Sequence, residues 1–373
     1  MKHSPPEKIW PYFIYYLTQE DILPYKALRR FLEKGLCSLP VAAESFVLIT
    51  EEKISEYRHL KDLMYQVLQE RWQALITAAE DLRRSSEKQG IFALALGDPL
   101  YPPLLAAVPD APLALFYQGN ISAYRNYRAH LAIVGSRKMT PYAARFLEQE
   151  VSKIIPYKVT VTSGLARGCD TAAHLSCLRN GGFTTACLAH GIDLIYPAEH
   201  KKIKEEIART GLILSEYPLG TKPRPYYFPA RNRIISGLSH ACFVAEAALS
   251  SGSLITADLA AEQGREVAVL CASVFRESSA GSNALLRDGA RAILNYQDLL
   301  DLLNIKRENT PYEAAFAENL PPVLKAISEE ALSETELSLK LNMPLKELRI
   351  ALLKYEAAGR VRRFRGRFFL TRA

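Results

Sequence analysis

Between residues 129 and 300, six short apolar runs, at 131–134, 159–162, 184–188, 212–214, 241–245 and 267–270, alternate with stretches of helical spacing. A strand buried on both faces needs a continuous apolar run, and parallel strands need a long crossover, which a helix supplies. This rhythm predicts an α/β fold, an extended Rossmann-like parallel sheet with helices on both faces. In such a sheet the carboxyl ends of the strands form the ligand crevice, so the residues just after each run are where a site is expected.

The chain has 373 residues, more than one usual domain of about 100–200. Apolar spacing at Leu28, Phe31 and Leu32 and at Tyr57, Leu60, Met64, Val67 and Leu68 predicts a small helical domain over 1–85, of the SAM or helix-hairpin-helix kind. Polar residues 83–90 end in glycine and read as a linker. Residues 91–120 are expected as an extra element packed against the sheet of a 91–305 domain. A proline-bracketed stretch, 310–322, leads to a 320–373 domain with helices at 323–328, 334–341 and 345–357 and a hairpin at 359–370. Asn342-Met343-Pro344 breaks its second helix from its third, the pattern of a winged helix.

The formal net charge is +7, and residues 320–373 hold eleven Lys/Arg against six Asp/Glu. An acidic partner such as nucleic acid is favoured, and the terminal Arg- and Phe-rich hairpin is one place that could track phosphates. The other reading of that hairpin is a solvated face on a protein-docking unit. With 49% hydrophobic residues the chain can bury a core, so disorder is not expected. Six scattered cysteines form no C-x-x-C pair and no cluster with the seven histidines, which predicts buried thiols, no metal and a reducing, cytoplasmic setting. The apolar stretch 9–17 is short, contains Pro11 and precedes no cleavage site, so neither an export signal nor a membrane span is expected.

Four turns carry the candidate chemistry. The first strand ends in Gly135, Ser136 and Arg137, with Pro141 opening a helix, where a close backbone and an Arg fork suit a phosphate. The second ends in Ser163, Gly164, Leu165, Ala166 and Arg167, with Asp170 expected to cap the next helix. In Phe228-Pro229-Ala230-Arg231-Asn232-Arg233 a turn is expected, with Asn232 as cap, Arg231 and Arg233 reaching one phosphate and Phe228 stacking a base. Ser251, Gly252 and Ser253 open a helix after Glu246, although Ser253 could equally be only a cap. Tight turns and packing are the competing explanation for each glycine. There is no phosphate-binding G-x-x-x-x-G-K-[ST] loop and no G-x-G-x-x-G, and His174 and His190 read as structural histidines, so no catalytic residue and no cofactor are expected.

Taken in order, G-S-R, S-G-L-A-R-G-C-D, L-S-E-Y-P at 214–218, F-P-A-R-N-R-I-I and E-A-x-x-x-S-G-S-L-I-T resemble the DprA (DNA-processing protein A, Smf) family. So does L-G-D-P-L-Y-P-P-L-L at 96–105. The resemblance spans roughly 91–300. It implies a non-enzymatic protein that binds single-stranded DNA, often as a homodimer, and helps load the RecA recombinase while displacing single-strand-binding protein during DNA uptake and natural transformation. The family's basic pocket maps onto Gly135, Ser136, Arg137, Ser163, Gly164, Arg167, Arg231 and Arg233. The chain departs from the family pattern at Leu188-Ala189-His190-Gly191, usually G-T-G, and at Leu270-Cys271-Ala272-Ser273, usually V-P-G-S. Two other functions fit parts of the chain: a phosphoribohydrolase-like nucleotide enzyme, whose P-G-G-x-G-T-x-x-E pattern is absent, and a duplex-DNA regulator acting through the winged helix.

Overall fold

Each of the six apolar runs forms a strand, and three more strands join them. In a computed structural model that describes residues 9–19, 29, 61–306, 321–330, 332–358, 360–364 and 366–370, the chain falls into two compact units, Met1–Lys306 and Arg307–Ala373. The strands described in the first unit are β1 (Phe92–Ala95), β2 (Ala114–Gly119), β3 (Ala129–Gly135), β4 (Val159–Ser163), β5 (Thr184–Leu188), β6 (Leu212–Ser215), β7 (Ala241–Glu246), β8 (Glu266–Leu270) and β9 (Arg291–Ile293). They lie in the order β1-β2-β6-β5-β4-β3-β7-β8-β9. From β3 to β9 all pairs are parallel, as are β3 to β6 on the other side.

The chain builds outward from β3 through β4 and β5 to β6, then returns to place β7 on the other side of β3. This reversal opens a crevice between the carboxyl ends of β3 and β7. Both faces are covered, which is why the central strands carry no polar alternation. On one face, Phe146, Leu147 and Val151 of the helix Pro141–Ile154 pack with Ala173 and Cys177 of the helix Cys169–Arg179. On the other, Ile234 and Ile235 of the helix Tyr227–Gly237 pack with Ala257 and Ala260 of the helix Gly252–Glu262.

Residues 91–120 do more than pack against the sheet: they extend it. β2 runs antiparallel to β6, with Tyr117 opposite Leu214, and β1 runs antiparallel to β2. Leu115 and Phe116 are buried there, so the hairpin gains core contacts while satisfying the backbone edge that β6 would otherwise expose. The helix Trp10–Gln19 lies over this extension, with the Tyr12 ring 5.9 Å from Phe116 and with Trp10, Phe13, Ile14 and Leu17 buried. Each such side chain contributes about 2 kcal/mol by leaving water.

The expected linker at 83–90 is a correction. The helix Lys61–Glu87 runs through it, because Arg83 pairs with Glu80 and Glu87 and Arg84 with Glu80 at i±3 and i±4, so the polar stretch is a solvated helical face. The break comes at Gly90, where φ is 68°. Most of the expected 1–85 helical domain, including 20–28 and 30–60, lies outside the described residues, as does the 307–320 part of the proline-bracketed segment. No helix of the described residues is long and apolar enough to cross a membrane.

The second unit runs from the helix Pro322–Glu329 through the short strand β10 (Leu332–Ser333), the helices Glu334–Leu341 and Leu345–Ala357, and the hairpin β11 (Val361–Phe364) and β12 (Arg367–Leu370). β12 pairs with both β10 and β11, and Leu324, Leu337, Leu348 and Phe368 fill the core, the element order of a winged helix. Ser333 and Glu336 form a reciprocal cap on the second helix, which ends at Asn342 in a left-handed conformation with φ 47°.

Candidate functional site

The turns after β3 and β4 are locked together by backbone, and this sets which groups remain free. A Cβ on Gly135 would stand 2.6 Å from Cys169 Sγ, and one on Gly168, whose φ is 74°, would stand 2.2 Å from the Ser136 carbonyl oxygen. Those close approaches allow Ser136 N to donate to Glu246 O at 2.7 Å and Cys169 N to donate to Ser136 O at 3.1 Å. The buried Glu246 carboxylate accepts from Thr140 N at 2.7 Å and from its hydroxyl at 3.0 Å, fixing the start of the helix Pro141–Ile154. Arg137 and Lys138 are left exposed on the rim.

Beneath the second turn the polar groups serve the fold. Ser163 is buried and its hydroxyl donates to Ile133 O at 2.6 Å. Asp170, expected as a helix cap, instead clamps the loop, accepting from Gly164 N at 3.1 Å and Ala166 N at 3.2 Å; the N-cap is Gly168. Arg231 fills the space under this loop, 4% exposed, with Nη1 donating to Gly164 O at 2.8 Å and to Cys187 O. A Cβ at Gly164 would fall 2.6 Å from Nη2 of Arg231, so that glycine exists to let the guanidinium lie flat against the backbone. Burial pushes the Arg231 pKa down while Asp170 opposes it; burial pushes the Asp170 carboxyl up while Arg231 pulls it back.

The expected turn at 228–233 is helical, a second correction. The helix Tyr227–Gly237 takes in the whole motif, with Pro229 in its first turn, where no N–H is required. Residues two apart on a helix point about 200° apart. Arg231 and Arg233 therefore diverge: Arg233, with a side chain only 16% exposed, donates from Nη2 to Glu216 at 2.6 and 2.8 Å, and its Nε lies 3.3 Å from Asp110. Asn232 sits mid-helix rather than at a cap, and its Nδ2 donates to Gly252 O at 3.4 Å, tying this helix to the next one's start. The half-buried Phe228 ring has the Arg137 guanidinium 5.3 Å from its centroid, that of Arg231 5.9 Å away, and the Tyr196 ring at 5.8 Å.

After β7, Ser251 caps the helix Gly252–Glu262, accepting from Ser253 N at 3.4 Å, and its hydroxyl lies 2.7 Å from that of Ser253. Gly252 differs from the glycines above. Its φ is not left-handed and a Cβ there would meet nothing within 4 Å. Neither conformation nor packing requires glycine, and the residue lines the cleft at the first helical N–H groups.

That cleft, of about 720 Å³, brings together Gly135, Ser136, Arg137, Phe228, Arg231, Asn232, Ser251, Gly252 and Ser253. Gly164 and Arg167 line a smaller adjoining pocket of about 40 Å³, where exposed Arg167 pairs with Glu199 at 2.5 Å. Ser163 lies buried below and Arg233 points away. Sequence reasoning missed Lys138 and Arg224, which add positive charge to the rim, and Tyr196, which flanks Phe228. Lys138 beside Arg137 was a readable signal; Tyr196 arrives on a loop after β5, and nothing local marks it.

His174 donates or accepts at Thr184 Oγ1 over 2.7 Å and burial drops its pKa to about 3; His190, also lowered by burial, bonds Gly191 O at 2.9 Å. Both hold loops and strands. Among the described residues no group of three or more His, Cys, Asp or Glu could hold a metal ion.

Comparison with known proteins shows the family. The family model of DNA recombination-mediator protein A matches residues 92–304. The DNA processing protein DprA of Streptococcus pneumoniae is 39% identical over 221 residues, 59% of this chain and 77% of that protein. Protein Smf of Escherichia coli is 36% identical over 270 residues, 69% of this chain and 72% of the relative. The X-ray structure of the S. pneumoniae protein superposes with a TM-score of 0.64 at 30% identity, covering 80% of this chain and 99% of that one. DNA processing protein A of Helicobacter pylori, solved for its single-stranded DNA binding mode, superposes with a TM-score of 0.52 at 30% identity over 57% of this chain and 95% of its own.

Proposed function

From the premise that the chain belongs to the DNA recombination-mediator protein A family, we propose that the cleft between β3 and β7 binds single-stranded DNA. Gly252 carries the reading. A glycine kept where a side chain would meet only open space, at a helix N-terminus facing exposed Arg137 and Lys138, suits the approach of a phosphate to backbone N–H groups. The H. pylori relative's single-stranded DNA binding supports the same assignment.

In this mechanism Ser251, Gly252 and Ser253 receive one phosphate, and Arg137, Lys138 and Arg224 follow the backbone on either side. Phe228 offers its remaining face to a base. Arg231 acts through position: it holds the Gly164 loop and lends its charge to the floor. Gly135, Ser136, Ser163 and Gly164 shape the cleft, Asn232 joins its two helices, Arg167 lines the adjoining pocket, and Arg233 anchors the helix Tyr227–Gly237 through Glu216. The protein works in the cytoplasm as a homodimer, without catalysis, and helps RecA displace single-strand-binding protein on incoming DNA.

Gly252→Leu tests the cleft without disturbing the core, since leucine is the better helix former and fills only solvent. Fluorescence anisotropy with a labelled single strand and its duplex should show single-strand preference in the natural protein and at least a tenfold loss in Gly252→Leu at unchanged thermal stability. Unchanged affinity would remove the phosphate from this helix. RecA filament assembly on a strand coated with single-strand-binding protein tests the mediator role, and should be accelerated by the natural protein alone.

A further inference from the structure

The cleft draws on the carboxyl ends of β3, β4, β5 and β7 and leaves that of β8 without a role. There the chain leaves Leu270 through Cys271, Ala272 and Ser273 and presents Val274 and Phe275, 78% and 94% exposed. Phe275 is the most exposed large apolar side chain among the described residues. Single exposed apolar side chains are ordinary on a protein surface, so what bears on function is where this ring stands: on a loop at the same sheet edge as the cleft.

The loop holds that ring outward. Tyr142 Oη donates to Cys271 O at 2.6 Å, Phe275 N donates to Ser273 Oγ at 3.3 Å, and Arg276 N donates to Ser273 O at 3.2 Å. Ser279 N closes the next turn on Arg276 O at 3.1 Å. The helix that follows the loop, Ala280–Arg287, adjoins the cleft at its start. Ala247 N donates to Ser282 Oγ at 2.8 Å, Ser282 N donates back to Ala247 O at 3.0 Å, and a Cβ on Gly281 would stand 2.5 Å from Ala248 O. Ala248 is itself part of the cleft wall. Arg276, next in sequence, is exposed, as is Glu277 after it.

We propose that Phe275 is a stacking platform for a nucleobase and Arg276 a contact for the neighbouring phosphate, extending the single-strand track from the helix start at Gly252 across the end of β8. This rests on the cleft binding single-stranded DNA. A base fits better than a protein surface because the exposed apolar groups are one ring and the small Val274 between the polar Ser273 and Arg276, and none of them lines a pocket with an apolar floor. Alternating aromatic and cationic groups are what a strand with exposed bases and regular phosphates can use.

The test uses the full chain with a labelled oligothymidylate and the same strand carrying abasic nucleotides. Phe275→Ala should weaken the thymidylate about tenfold and the abasic strand hardly at all, and Phe275→Trp should keep tight binding with its fluorescence quenched by the thymidylate only. Arg276→Ala should reduce the log-log salt slope by about 0.7. Arg137→Ala separates the two levels. If it loses DNA while Phe275→Ala binds as the natural protein does, the platform is wrong and the cleft stands, whatever Phe275→Ala does to protein contacts. If both bind normally, the cleft reading fails and the platform with it. A thermal melt of each variant checks folding, which a side chain this exposed should not affect.

Discussion

The two units carry their positive charge in different ways. The second has the larger share for its length, yet Arg349 and Arg363 pair with Glu334, Arg367 pairs with Glu336, and the third helix of the winged-helix order presents Ile350 and Leu353, 50% and 65% exposed. The first unit has few exposed cations at its cleft, but Arg137 and Lys138 face a cleft whose one lining acid among the described residues, Asp170, is buried and held by the Gly164 and Ala166 N–H groups. A count of arginines therefore overstates how much of the terminal unit's positive charge is left without an acid. A phosphate site depends on which cations the local geometry leaves without an acid.

The comparison can be broken most forcefully at glycine. Gly168→Ala adds a left-handed strain to a backbone clash with Ser136 and should cost roughly 3 kcal/mol or more, with loss of the cleft, in denaturant unfolding. Gly366→Ala, at φ 78° but with open space around it, should cost only about 1 kcal/mol, from strain alone. Equal costs would mean that the interlocked turns are not what stabilises the first unit.

Acid sharpens the contrast next. His130 and His174 are buried neutral in the first unit, each lowered from 6.5 to about 3, chiefly by burial, while no histidine occurs after His240. Their stabilising effect is complete above the unfolded value of 6.5 and is lost progressively as pH falls toward 3, since the unfolded chain takes up the protons first. Hydrogen exchange followed between pH 6.5 and 5 should show the first unit opening more readily and the second little changed; the reverse would relocate the weak point.

Binding gives a smaller but more specific separation. Arg137→Ala should weaken single-stranded DNA about tenfold, the equivalent of ~1.4 kcal/mol, whereas Arg363→Ala, already paired with Glu334, should change it less than twofold, both read by anisotropy at fixed salt. On DNA affinity the smallest effect is expected from Ser333→Ala, which removes one half of a helix cap and should cost about 1 kcal/mol of stability in the second unit with no change in binding.

Much of the fold could be read because buried parallel strands write themselves as uninterrupted apolar runs, and β3 to β8 fall where those runs lie. β1 and β2 escaped because Phe92-Ala93-Leu94-Ala95 is short and pairs only with β2, while β2 joins the sheet through distant β6 rather than through a neighbour marked by a turn. In the site, glycines were visible but their reasons were not: Gly135, Gly164 and Gly168 serve close approach, and only Gly252 faces empty space. The helix over 227–237 was hidden by Pro229 and by two arginines that suggested a turn, although proline is at home in a first helical turn. Which arginine would be buried depended on Gly164, a residue 67 positions away.

The sheet ends in short strands on both sides, β1 with four residues and β9 with three. A ladder of backbone hydrogen bonds between two copies of this unit would have only a few rungs, too few to hold without help from elsewhere. If this unit self-associates, the contact therefore has to be written in side chains, on its helical faces and loops rather than on its edge strands.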